Sequence, residues 1–151
     1  EQTFQRVKLT AGGDVLAPTM RKFGAYAALV SGGFTFFTSR IAKLAGFDED
    51  RGNTLRIEAG KLTGQVIEPI LDRDSKLNTL LELSKTRDIP RHLTLAVGDG
   101  ANDLPMIQAA GLGVAFHAKP ITAEGARARI DHAGLEALLY LQGYRKAQFT
   151  R

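Results

Sequence analysis

Two aspartates, an asparagine and two glycines fall within six residues, Gly98-Asp99-Gly100-Ala101-Asn102-Asp103. The apolar run LTLAV precedes them and reads as a buried strand. Asp99 directly follows that run, so a sheet would fix its position. Carboxylate oxygens at a strand end suit Mg2+, which takes oxygen ligands and keeps several waters. Gly98 and Gly100 permit a backbone path that other residues resist. Asn102 and Asp103 open the next helix, where both are good caps. Asp103 has a second option, which is to reach back towards Lys76. Nothing in folding alone requires D-G-x-N-D, so the string reads as a magnesium and phosphate site.

Two other places carry related chemistry. Ser31-Gly32-Gly33 lies between the apolar run AYAALV and a helical pattern. The expectation is a turn that leaves backbone N–H groups at a helix N-terminus, where the dipole favours an anion, with the Ser31 hydroxyl as a further donor. Alone, the same residues make an ordinary helix cap. Lys76, in DRDSK, stands at a helix start, where acids are preferred. Either it is a solvated surface lysine or its charge is held there for an anion.

These residues need elements to hold them. Val15, Leu16, Met20 and Phe23 have helical spacing, with Gly24 placed to end the helix. Phe34, Phe37, Ile41 and Leu44 repeat the pattern up to Gly46. NTLRIEAGKLTGQVIEPI alternates around Gly60-Lys61 and predicts a β-hairpin. Leu77, Leu80, Leu81 and Leu83 mark a third helix with Pro90 beyond it. LTLAV, a helix from about Asn102 to Ala110 and the strand LGVAF follow. A helical segment from Pro120 and a last helix in HAGLEALLYLQG close the chain. Strands alternating with amphipathic helices predict an α/β fold, a parallel sheet flanked by helices, in which ligands bind beyond the carboxyl ends of the strands. The strands ending at Ser31 and Gly98 would then open on one rim. No linker divides the 151 residues, so a single domain is expected.

Composition narrows the classes. The chain is 44% hydrophobic and 24% charged, an ordinary globular balance. It has no cysteine, which excludes disulfides and thiolate metal sites and fits a reducing, cytoplasmic compartment. No apolar run is long enough to cross a membrane. The net charge of +4 would draw in an anionic substrate. Its basic residues are spread out with no interleaved aromatics, which argues against nucleic acid as partner. His92, His117 and His132 share no ligand spacing and read as surface or structural residues. Phe34, Phe36, Phe37, Tyr140 and Tyr144 read as packing.

ALVSGGF, GKLTG, DRDSK, AVGDGANDLPM and AAGLGVAFHAKP occur in this order, nearly end to end. With them the chain resembles the C-terminal part of the phosphoserine phosphatases, in the haloacid dehalogenase (HAD) superfamily. GDGxND is shared with other HAD phosphatases and with P-type ATPases; VSGGF, GKLTG and GLGVAFHAKP are closer to the phosphoserine branch. The resemblance implies a Rossmann-like HAD core with a small β-hairpin insertion. It implies Mg2+-dependent hydrolysis of O-phosphoserine through an aspartyl-phosphate, the last step of serine biosynthesis. Ser31 and the Gly32 amide would bind the phosphoryl group. Lys76 would neutralise phosphate and nucleophile, Asn102 would lie close to the phosphate, and Asp99 would complete the metal site. Asp103 would support the lysine and the metal shell, so Lys76 and Asp103 form the catalytic pair. The alternatives are another HAD small-molecule phosphatase and a non-catalytic phosphate-binding HAD fragment.

The resemblance also implies a first motif, D-x-D-x-S/T, whose first aspartate is the nucleophile. Asp72 and Asp74 lack the hydroxyl residue, since Lys76 stands there; Asp48 and Asp50 are followed by Arg51-Gly52. Neither pair fits. The expectation is a chain that lacks the nucleophile strand and most of the substrate-recognising cap and is inactive alone. In the family that strand is central, between the strands ending at Ser31 and Gly98. Those two strands are therefore expected to pair directly, or a homodimer contact to fill the slot.

Overall fold

A computed structural model describes residues 7–151. Two compact units divide them: residues up to Leu71 together with Gly134–Arg151, and the contiguous stretch Asp72–Ala133.

In the first unit, α1 (Leu16–Lys22) ends with Phe23 as C-cap and Gly24 at φ +92°, the left-handed position expected of that glycine. Then β1 (Ala28–Phe34) leads directly into α2 (Thr35–Ala45), which stops at Gly46 with φ +77°. The buried face of α2 is Thr38, Ala42 and Ala45, one position along from the predicted stripe. Leu44, predicted to be inside, is 57% exposed, and Phe34 and Phe36 are also exposed. Small residues take that face, and packing is tight at its end: a Cβ at Gly46 would stand 2.7 Å from Pro18 Cγ. The strands β2 (Glu49–Glu58) and β3 (Lys61–Ile67) form the predicted hairpin, turning at Ala59 and Gly60, both with positive φ. The hairpin is more than an insertion. The first half of β2 runs parallel to β1, pairing Ala28 with Glu49 and Val30 with Arg51, and only its second half pairs with β3. The last helix is short, α6 (Ala137–Leu141), and buries Leu138 and Leu139 completely.

The second unit begins with α3 (Ser75–Thr86), followed by β4 (Leu95–Gly98), α4 (Leu104–Ala109), β5 (Leu112–Phe116), α5 (Pro120–Gly125) and β6 (Ala128–Ile130). β4, β5 and β6 make a parallel sheet in that order. Val114, Ala115 and Ile107 form its core. The alternation of strands and helices gives the expected α/β architecture. β6 has no counterpart among the predicted strands.

The expected direct pairing of the strands ending at Ser31 and Gly98 does not occur. Among the described residues β1 pairs only with β2, and β4 only with β5, in separate three-stranded sheets. Among the described residues no helix is long and apolar enough to cross a membrane.

Candidate active site

In the second unit the sheet delivers Asp99 to the end of β4, and the turn 99–103 leads into α4. Asp103 is the N-cap of α4, yet its carboxylate does not cap the helix. It turns back: Oδ2 accepts the backbone N–H groups of Asp99 and Gly100, each at 3.0 Å. Its Oδ1 accepts a hydrogen bond from Lys76 Nζ and forms an ion pair with it. The second option seen in the sequence is thus the one realised. Gly98 makes it possible, because a Cβ there would lie 2.4 Å from Asp103 Cβ and Cγ.

Asp103 is only 3% exposed. Burial pushes its carboxyl pKa up, but the Lys76 hydrogen bond and charge and the two amides outweigh it, so the carboxyl is held below the ordinary carboxylate value. The ion pair answers the puzzle of a lysine in a helix first turn: Lys76 is anchored by a carboxylate from another element, and its side chain is 18% exposed. Asp99, by contrast, is exposed, and its carboxylate makes no hydrogen bond or ion pair among the described residues. Its backbone is fixed at both ends, the N–H by Asp103 and the carbonyl by Lys119 N–H at 3.0 Å. Asn102 is exposed in the turn. Lys76, Asp99 and Asp103 therefore form one connected cluster.

In the first unit Ser31-Gly32-Gly33 differs from expectation. The three residues belong to β1, which bulges there: five residues, Val30 to Phe34, span the interval that three, Arg51 to Asn53, span on β2. Phe34, not Ser31, is the N-cap of α2. Ser31 Oγ accepts the Gly33 N–H at 3.0 Å, which leaves the hydroxyl proton available to a ligand. Asn53, which the sequence reading passed over, donates through Nδ2 to the Gly32 carbonyl at 2.9 Å. Its signal was weak: a polar residue at an inward strand position.

Three of the four aspartates in the D-x-D candidates, Asp48, Asp50 and Asp72, are occupied by structural work. Asp72 Oδ1 accepts from Ser75 Oγ and the Asp74 N–H, at 2.8 and 3.1 Å, ordering the start of α3. The Ser75 hydroxyl is the main reason the exposed Asp72 carboxyl sits below its ordinary pKa. Asp48 pairs with Arg21 and accepts the Ala27 N–H, while Asp50 accepts from Thr38 and Ser39. His117 Nε2 contacts the Ala133 carbonyl at 2.7 Å, a structural role. No group of three or more His, Asp or Glu side chains converges among the described residues.

The turn at the end of β4 thus bears one exposed carboxylate and is pinned by a buried acid–lysine pair. Residues 5–108 match the family model for haloacid dehalogenase-like hydrolases, and the chain belongs to that family. It is 43% identical over 137 residues to a phosphoserine phosphatase of Streptomyces coelicolor, covering 91% of this chain and 33% of that protein. The solved structure of a probable phosphoserine phosphatase from Vibrio cholerae superposes with a TM-score of 0.90 at 40% identity, over 94% of this chain and 44% of that one. A phosphoserine phosphatase solved as a phospho-aspartyl intermediate analogue gives 0.84 at 36% identity, over 93% and 67%. The chain spans 33% to 60% of the length of such curated relatives.

Proposed function

We propose that this chain carries the phosphoryl- and metal-binding half of a Mg2+-dependent phosphatase acting on O-phosphoserine. The observation that carries the reading is the buried Asp103 carboxylate, which holds Lys76 on one oxygen and the amides of the Asp99 turn on the other. Phosphoryl transfer asks chiefly for positioning and charge neutralisation, and this arrangement supplies both. Lys76 is the catalytic cation for the phosphate oxygens. Asp103 fixes it and stays ionised. Ser31 Oγ–H and the Gly32 amide donate to the phosphoryl group, and Asn102 adds an amide side chain.

The donor set fits a magnesium ion in part. Asp99 offers one hard oxygen ligand with no protein partner, on a backbone held at both ends. A metal ion bound there would neutralise charge on the phosphoryl group. The nucleophile is assigned to none of these residues, since neither D-x-D pair carries the hydroxyl residue that the motif requires.

A chimera tests this. The portion of the Streptomyces coelicolor relative that this chain does not span is joined to the chain, and phosphate release from O-phosphoserine is followed with Mg2+. Turnover is expected, falling at least about a hundredfold in Lys76→Ala and Asp99→Asn, as when a charged transition-state contact is lost. The chain alone is expected to release none. Preference for a different phosphate ester would replace the substrate assignment; a chimera that folds and turns over no ester would point to a non-catalytic phosphate-binding role.

A further inference from the structure

Gly32 C=O and Gly33 N–H belong to one planar peptide unit. Glycine on both sides gives that plane wide rotational freedom. The structure holds it at both ends: Asn53 Nδ2 donates to the carbonyl at 2.9 Å, and Ser31 Oγ takes the N–H at 3.0 Å. Asn53 is itself locked. It is 8% exposed, and its Oδ1 accepts the Leu71 N–H at 2.7 Å, so its carboxamide is used in both directions and cannot flip without opposing like groups. Gly52 beside it permits the approach, since a Cβ there would stand 3.1 Å from the Gly33 carbonyl oxygen and 2.8 Å from Thr38 Oγ1.

We propose that Asn53 is a positioning residue for anion binding at Ser31. By fixing the Gly32–Gly33 peptide plane, it keeps Ser31 Oγ as the acceptor of the Gly33 N–H, so the hydroxyl proton is directed to a phosphoryl oxygen. The inference rests on the phosphoryl-binding role given above to Ser31. Asn53 touches no ligand; it acts through the peptide.

The test is titration of this chain with inorganic phosphate, read from the amide NMR shifts of Ser31, Gly32 and Gly33. Asn53→Asp keeps the acceptor for Leu71 and loses the donor to Gly32, and its carboxylate repels that carbonyl. Burial raises the pKa of the introduced carboxyl, so acidification protonates it and returns an O–H donor. Relative to the parent chain, phosphate affinity should fall about tenfold at about pH 8 and return to within about threefold at about pH 5.5. Phosphate's own ionisation affects both chains alike, so the ratio is the reading. A residue that merely supports folding would instead lower the melting temperature and weaken binding in step with the unfolded fraction. Asn53→Ser, too short to reach Gly32, should show the same loss with no recovery in acid. If either folded variant bound phosphate like the parent at about pH 8, the clamp would be wrong while the role of Ser31 stood. A parent chain whose Ser31 and Gly32 amides ignore phosphate would remove the phosphoryl-binding reading, and this inference with it.

Discussion

Asp103 is the residue on which the second unit's chemistry turns, and its titration can be followed as stability. Its folded pKa is depressed, so the unfolded chain binds the proton more readily. The stabilisation it provides is full above the ordinary carboxylate value and is lost as pH falls through the lower folded value. Urea unfolding between neutral pH and strong acid should therefore show stability falling with acid more steeply in the parent than in Asp103→Asn. The variant should also be weaker at neutral pH by roughly 3 kcal/mol, the lower end of the range for a broken pair because Lys76 keeps some solvent. Equal slopes in the two chains would refute the assignment. At this scale the Lys76–Asp103 pairing was legible, because a lysine in a helix first turn contradicts local preference and calls for an acid nearby. Asn53 was hidden. An asparagine in a strand looks like a surface residue until the bulge at Ser31 shows which carbonyl it meets.

Elements were more legible in kind than in face. The helices follow 3.6-residue periodicity, and the hairpin announces itself by Gly60 between alternating runs. The face of α2 was misjudged because periodicity marks large apolar residues, whereas Thr38, Ala42 and Ala45 are buried by close approach. β6 escaped for a simpler reason: it is three residues long with an exposed arginine, Arg129, at its centre. Close approach also governs β5 and α4. A Cβ at Gly113 would lie 1.8 Å from the Ile107 carbonyl oxygen, and neither backbone can yield without breaking its ladder. Gly113→Ala should cost about 3 kcal/mol, the upper range for overpacking, seen as a lower urea midpoint with an unchanged slope. A midpoint like the parent's would mean that the helix slides freely on its strand.

At the scale of the molecule, β1 and β4 each stand at the end of their own sheet. Both are short and apolar, Ala28-Leu29-Val30 and Leu95-Ala96-Val97, and edges of that kind invite further pairing. We expect the purified chain to self-associate, with sedimentation velocity showing a mass that rises with concentration. A single monomeric boundary at all concentrations would show that these edges are protected. The sequence reading expected these two strands each to need a further partner. Of the two remedies it offered, direct pairing is not seen among the described residues, and the contact with a second copy is what sedimentation tests.

Connectivity adds a consequence for the order of manufacture. The second unit is one continuous stretch, Asp72–Ala133, whereas the first is interrupted and resumes at Gly134. Thr19, fully buried in α1, exchanges hydrogen bonds with the backbone of Thr150, 131 positions later. Leu138 and Leu139, also fully buried, belong to the same late segment. On the ribosome, Lys76 and Asp103 have both emerged while α1 still waits for its last partners. The segment of the first unit that precedes Asp72 is therefore completed only after the second unit has been made.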